Sequence, residues 1–244
     1  MYSGTVKTSS PQTNGNCALK DGSITVDKLA QETIDFIETR GGMQKNAVVP
    51  TLSVKWVNNR TNESSTALNI SAEIGDTYTW EGRYIWKSSS SAAEPVDFKS
   101  NAFTYLTKDN TMSQPVQKTV TVDSTFNITL IASNNETSTV NSTIDFKYPL
   151  YYGNVGKKLT KSLVNSPTLT VSNVTTNESE YFVYKYPKEL AALSQVMMND
   201  AFNVIQAFNY SEEQFITDTG KNVTLRVYTS ANPGAFTNAK LSFK

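Results

Sequence analysis

Four aromatic residues in one short segment are the side chains of this sequence best suited to contact a ligand. In a continuous β-strand, residues an even number of positions apart share a face, so their rings form a row unless a tight turn at Glu81 and Gly82 breaks it. Exposed rings stack on the apolar faces of pyranosides, which makes these residues candidate glycan contacts. The alternative, which the sequence favours, is that the rings fill a hydrophobic core or an interface. The four residues are Tyr78, Trp80, Tyr84 and Trp86.

The sequence contains few of the residue types that catalysis and metal binding require. The chain contains no His and a single Cys, Cys17, which removes Ser-His-Asp and Cys-His nucleophile pairs and His-ligated metal sites. Two of the 22 Asp and Glu residues could still form the catalytic carboxylate pair of a glycosidase, because such a pair is defined by its separation in space and not by the sequence. However, most of them lie in predicted turns, and no D-x-D-x-D-G, Walker, Rossmann, G-x-S-x-G or C-x-x-C motif occurs. We therefore expect no enzymatic activity, no metal site and no cofactor.

Composition and charge point to a β protein without nucleic-acid or membrane partners. The 22 Lys and Arg residues balance the 22 acids, so no net positive charge attracts phosphate backbones or anionic lipids. The polar N-terminus has no apolar core of a signal peptide, and no apolar run reaches the length of a membrane span. The 26 Ser, 31 Thr and 23 Asn residues are typical of strand surfaces and turns.

The first 46 residues differ from the rest of the chain. The polar stretch up to Lys20 predicts an arm that becomes ordered only against a partner. A helix is predicted next, with Thr25 as its N-cap and Gly41 and Gly42 as its stop. Its apolar face either docks on the chain's own domain or packs against other copies of the helix around a symmetry axis. The second alternative is our oligomerisation hypothesis, in which a trimer is preferred to a dimer. The residues of this seam are Leu29, Ile34, Phe36 and Ile37.

The remaining residues are predicted to form short strands separated by clusters of Asn, Ser, Gly and Pro. Such spacing, without intervening long helices, is typical of antiparallel sandwiches of the immunoglobulin type. We predict one β-sandwich domain over residues 47–148 and a second over 149–244, the latter with a hairpin turn at Thr219 and Gly220 and a short helix over 188–197. The predicted strands are 48–57, 66–74, 77–87, 96–106, 116–122, 126–132, 142–148, 169–174, 181–186, 203–209, 213–217, 222–229 and 239–243.

Two parts of the sequence resemble bacteriophage proteins. DGSITVDKLAQETIDFI (21–37) is similar to the G-S-I-T-x-x-K-L-A segments of fibre and appendage proteins of tailed phages, often found before a trimerising element. Residues 149–244 resemble the C-terminal immunoglobulin-like domain of phage virion proteins, including those of crAss-like phages, although 190–204 departs from that pattern. The residues that carry this second resemblance are Pro149, Tyr151, Tyr152, Gly153, Tyr181, Tyr184, Tyr186, Pro187, Val227 and Tyr228.

The resemblance implies a structural virion component and transfers no catalytic residue. We therefore predict a mainly β protein with two antiparallel immunoglobulin-like β-sandwich domains, preceded by an N-terminal arm and one short helix. As its function we predict an oligomeric head or tail fibre whose arm binds a capsid, collar or tail protein. The alternative is a carbohydrate-binding surface module that contacts a host glycan through the four aromatic residues of segment 77–87.

Overall fold

Strands make up most of the part of the chain that the computed structural model describes, which is residues 46–86, 92–93, 95–103, 113–132 and 134–244. The arm, the helix and the seam residues Leu29, Ile34, Phe36 and Ile37 lie outside these ranges. Eighteen strands occur in the described part: β1 (Asn46–Ala47), β2 (Thr51–Asn58), β3 (Ser64–Ser65), β4 (Asn69–Glu73), β5 (Tyr78–Ile85), β6 (Ala92–Ala93), β7 (Pro95–Ser100), β8 (Val116–Val120), β9 (Ser124–Ala132), β10 (Thr137–Asn154), β11 (Thr160–Val164), β12 (Leu169–Val174), β13 (Phe182–Pro187), β14 (Val196–Met198), β15 (Phe202–Asn203), β16 (Phe208–Ile216), β17 (Asn222–Ser230) and β18 (Ala239–Phe243). A 3-10 turn spans Ile205–Ala207.

The strands form one large sheet and three smaller ones. The large sheet has the order β16-β17-β13-β10-β9-β7, with β4 and β11 also paired to β10. The smaller sheets have the orders β3-β2-β5-β8, β12-β18-β14-β15 and β1-β6. Pairing is antiparallel except between β1 and β6 and between β4 and β10. The prediction of a mainly β chain is confirmed, and the arrangement is consistent with the β-sandwich class.

Strand β10 is 18 residues long and takes part in two hydrophobic cores. Its first part pairs with β9 and β4, and its last part pairs with β11 and β13. It passes without interruption through position 148/149, where we predict a domain boundary, and residues 46–244 group into one compact unit. The division into two domains therefore stays a prediction.

The first core lies between the β3-β2-β5-β8 sheet and the β4, β7, β9 and N-terminal β10 part of the large sheet. Strand β2 shows why this sequence forms a strand here, because its residues alternate between exposed and buried along TLSVKWVN, as a half-buried strand requires. Trp56 and Trp80 face each other across β2 and β5, and the Trp80 ring stacks on Phe126 at 4.1 Å.

The second core lies between the C-terminal part of the large sheet and the β12-β18-β14-β15 sheet. Its centre is an aromatic stack in which the rings of Tyr184 and Phe243 are 3.7 Å apart and nearly parallel. A smaller third cluster, which includes Val183, Val223 and Leu225, covers the opposite face of β13 and β17. Because β13 contributes to both clusters, it is buried along most of its length.

The structure corrects one predicted element and confirms another. The helix predicted over 188–197 is wrong: this segment turns after β13 and then forms strand β14. The backbone N–H of Leu193 donates to the Tyr186 hydroxyl at 3.1 Å, and Ser194 donates to the carbonyl of Lys244, so these donors are bound outside the segment rather than within a helix. The turn at Thr219 and Gly220 is confirmed, since it joins β16 to β17.

Gly82 makes room for a buried indole. A Cβ at this position would lie 2.2 Å from ring atoms of Trp80, far inside van der Waals contact. The indole cannot easily move away, because its N–H donates to the buried Ser142 hydroxyl at 3.2 Å. The glycine that divides the aromatic row is therefore a packing requirement of the first core.

We expect Gly82→Ala to lower the free energy of unfolding by about 1–3 kcal/mol, the usual cost of overpacking a core. Urea unfolding followed by tryptophan fluorescence measures this loss. Ser53→Ala on the outer, exposed face of β2 is the control and should change stability by no more than about 0.5 kcal/mol. Equal effects of the two changes would contradict the packing role of Gly82.

Candidate functional site

The predicted aromatic row exists, but it lies in the first core. Strand β5 is continuous, so the residues do share one face, and no turn forms at Glu81 and Gly82. Trp80 and Tyr84 are completely buried, Trp86 is buried, and the half-buried Tyr78 packs against the same cluster. The rings of Trp80 and Tyr84 pack against Phe126 and Phe103, so these rings cannot stack on a sugar. The half-buried Tyr78 also lines a pocket at the surface with Ile70. The core alternative is therefore observed for Trp80, Tyr84 and Trp86.

The best-defined group of charged residues lies where the two cores meet, and we call it the junction cluster. Lys161 of β11 is at its centre, with Nζ 2.5 Å from Oε2 of Glu73 in β4 and 2.6 Å from Oδ2 of Asp218 in the β16–β17 turn. The Glu73 side chain is only 6% exposed. The ammonium group therefore connects residues more than 50 positions apart on three separate elements.

A second ion pair of the junction cluster closes the turns beside β4. Asp76 accepts hydrogen bonds from Nε and Nη2 of Arg60 at 2.6 and 3.0 Å, in a two-pronged arrangement. Nδ2 of Asn58 donates to the same carboxylate at 2.9 Å. Because the Asp76 side chain is only 3% exposed, these charge-assisted bonds replace the water that the carboxylate loses on folding.

A hydrogen bond from a side chain to the backbone joins two turns at the same junction. The Thr219 hydroxyl donates to the carbonyl of Ile74 at 3.0 Å, across 145 positions of the chain. Gly75, with φ +96°, allows this approach, because a Cβ there would lie 2.5 Å from the Thr219 hydroxyl oxygen. The turn after β4 and the turn after β16 therefore fit closely together.

The electrostatic environment favours the charged forms of Asp218, Asp76 and Lys161. The hydrogen bond from Lys161 lowers the pKa of Asp218. Burial alone would raise the pKa of Asp76, but the hydrogen bonds from Arg60 and Asn58 outweigh it and the pKa is lowered. Burial likewise opposes the charge of Lys161, whose pKa is nevertheless raised by Asp218 and Glu73. Each charge is thus stabilised by an opposite charge, which is the chemistry of a structural clamp.

A different group of polar and aromatic residues lies at the surface of the C-terminal part, and we call it the Tyr210 patch. It consists of Tyr210 and Glu212 of β16, Arg226 and Tyr228 of β17, and Lys188 after β13. The Tyr210 hydroxyl donates to Oε1 of Glu212 at 2.6 Å, and Lys188 Nζ lies 2.8 Å from Oε2 of the same carboxylate. These two hydrogen bonds lower the pKa of Glu212, with Lys188 the larger cause, and the Glu212 contact raises the pKa of Tyr210.

Sequence reasoning missed both groups. The acids of the junction cluster lie in or near turns, where a solvated surface is the ordinary expectation, and their cationic partners are distant in sequence. Tyr228 belongs to the motif that resembles phage proteins, but Tyr210 and Arg226 carry no local signal. The pairing register of β16 and β17 brings these residues close together, and a single sequence does not reveal that register.

Comparisons with known proteins identify no relative: no family model, curated protein or solved structure matches the chain. In the part of the chain that the structure describes, no set of three or more acidic, His or Cys side chains is arranged to hold a metal ion. Within the same residues, no helix has the length and apolarity that crossing a bilayer requires.

Removing the central charge of the junction cluster should destabilise the fold. We expect Lys161→Met to cost about 2 kcal/mol of unfolding free energy, because it leaves the buried Glu73 carboxylate without its cation. The cost stays below the ~3–5 kcal/mol of a fully buried pair, since the Lys161 side chain remains 28% exposed. The matched control is Lys240→Met, whose partner Asp200 is 61% exposed, and it should cost at most about 0.5 kcal/mol. Equal losses in urea unfolding would contradict a clamp at Lys161.

Acid should weaken the same junction. A carboxylate with a lowered pKa in the folded state stabilises the protein above its unfolded pKa of about 3.9, and this stabilisation is lost as pH falls through the lower folded value. Asp76→Asn should therefore reduce the unfolding free energy by about 2 kcal/mol near pH 7, and by much less near pH 3. Urea titrations at the two pH values measure the difference, and a constant difference would contradict the ionic role of Asp76.

Proposed function

We propose that this chain is a non-enzymatic structural component of a phage virion, an oligomeric head or tail fibre or appendage attached through its N-terminus. In this proposal residues 1–46 bind a capsid, collar or tail subunit and assemble the oligomer, and the β region projects from the particle. A trimer is the preferred oligomer and a dimer the second choice. The resemblances to phage fibre segments and to virion immunoglobulin-like domains support the assignment of this chain to a phage particle.

The observation that carries the proposal is the way in which the two cores are joined. Strand β10 contributes Ile144 to the first core and Leu150 to the second, so no flexible linker separates them. The junction cluster adds ion pairs and a tight fit of turns beside that shared strand. A projecting appendage needs its parts held in a fixed orientation, and this construction supplies it.

The carbohydrate-binding alternative is not proposed through Tyr78, Trp80, Tyr84 and Trp86. Trp80, Tyr84 and Trp86 are buried in the first core, so exposing their rings to a sugar would require opening the sheets. The half-buried Tyr78 alone does not form the predicted row.

The oligomer can be tested on the purified chain. We expect light scattering to give about three times the chain mass of 26.9 kDa, and Phe36→Asp to shift the mass to that of one chain, because it places a charge in the proposed apolar seam. Phe202→Asp is the matched control, since Phe202 is already 64% exposed, and it should leave the oligomer intact. A monomeric unmodified chain would overturn the oligomeric fibre.

The location on a particle needs a separate test. Antibodies against residues 149–244, applied to purified particles of the phage that encodes the chain, should label projections at one site on the particle. Protein found in infected cells but missing from purified particles would overturn the virion proposal.

A further inference from the structure

We propose that the Tyr210 patch is a binding site for an acidic sugar, that is, a pyranoside that carries a carboxylate. The site is formed by Tyr210, Tyr228, Arg226, Glu212 and Lys188, and it does not depend on the fibre proposal or on the oligomeric state. It replaces the buried aromatic row as the place where this protein contacts a glycan.

The register of three strands places these side chains in two adjacent rows on one face of the large sheet. Tyr184, Tyr228 and Tyr210 pair across β13, β17 and β16, and in the next row Tyr186, Arg226 and Glu212 do the same. The first members of both rows are completely buried in the second core. The rows therefore run outward from the core and end on β16, the last strand of the sheet.

Tyr210 provides an accessible and well-oriented ring. It is 52% exposed, whereas the neighbouring Tyr228 is 7% exposed. The two rings are 5.4 Å apart at 61°, and Tyr228 in turn stacks on Tyr186 at 6.1 Å. The Tyr210 ring thus has buried aromatic support on one side, and the hydrogen bond of its hydroxyl to Glu212 limits its rotation. A ring fixed in this way can stack on a sugar at a small entropic cost.

The charges of the patch select the class of sugar. Arg226 and Lys188 are two cations around the single carboxylate of Glu212, so the patch has a formal charge of +1 at neutral pH. Lys188 is directly paired with Glu212, and Arg226 hydrogen-bonds the hydroxyl of the buried Tyr186, so the ligand carboxylate would bind the remaining N–H groups of Arg226. An arginine binds a carboxylate with two parallel hydrogen bonds, so a carboxylated pyranoside fits better than a neutral one.

Arg226 also has an unused hydrogen-bond donor. Its Nε is buried and has no hydrogen-bond partner among the residues that the structure describes. A buried donor without a partner is costly, so a ligand carboxylate that reached Nε would gain a hydrogen bond that the free protein lacks. Phe202, another exposed aromatic side chain of the C-terminal part, is not part of the two rows, so it provides a control position.

The test uses the full chain on an array of immobilised oligosaccharides, in which glucuronic, galacturonic and sialic acid termini are matched with neutral counterparts. We expect retention on at least one acidic member, with its neutral counterpart bound about tenfold or more weakly, since a charge-assisted bidentate contact is lost. Tyr210→Ala and Arg226→Gln should each reduce retention about tenfold or more. Tyr210→Phe keeps the ring and should lose less, and the control Phe202→Ala should bind like the unmodified chain.

Each outcome decides the proposal. Retention of no acidic member, equal retention of acidic and neutral members, or unchanged binding by Tyr210→Ala would overturn it. If Arg226→Gln fails to fold, the exposed Tyr210→Ala variant and the acidic-to-neutral comparison still decide it. A monomer in light scattering together with Tyr210-dependent binding would overturn the oligomeric fibre and leave the sugar site standing.

Discussion

The shared strand β10 is the constraint on which the rest of the structure depends. A strand that serves two cores must present apolar side chains to each of them while its backbone pairs with different neighbours along its length. The sequence of β10 meets both demands, because Ile144 and Phe146 enter the first core and Leu150 enters the second. Four other strands pair with it, so a shift in its register would disturb both cores at once.

The junction cluster follows from that constraint. Where one strand leaves one core and enters another, the neighbouring turns are brought together and their polar groups lose water. Such desolvation is tolerated only when each charge has a partner, and Lys161 supplies one for Glu73 and Asp218 while Arg60 supplies one for Asp76. The cluster links elements that belong to both cores, and the lowered pKa values of Asp76 and Asp218 make these contacts sensitive to acid rather than to changes near neutral pH.

The aromatic residues divide between packing and recognition according to their position in the sheets. The indoles of Trp56 and Trp80 are completely buried and fill the space between two sheets, where one glycine provides the room. Tyr210 belongs to a row of the same kind, but it lies on β16, the last strand of the large sheet, and is half exposed. The row therefore ends in an exposed ring that packs against the buried Tyr228, and this is the origin of the proposed sugar site.

The sequence alone determined the class of fold, most strand positions and the turn between β16 and β17, because alternation of polar and apolar residues and turn-forming residues are local properties. Strands β12 and β18 were predicted with their observed bounds. Residues 188–197 have good helix formers, but the Tyr186 hydroxyl and the carbonyl of Lys244 accept hydrogen bonds from the N–H groups of residues 193–195, so tertiary contacts overrode local preference. Only the tertiary structure decided which aromatic rings are exposed and which charges meet, since burial depends on the facing sheet, and Lys161 finds its partners 88 and 57 positions away.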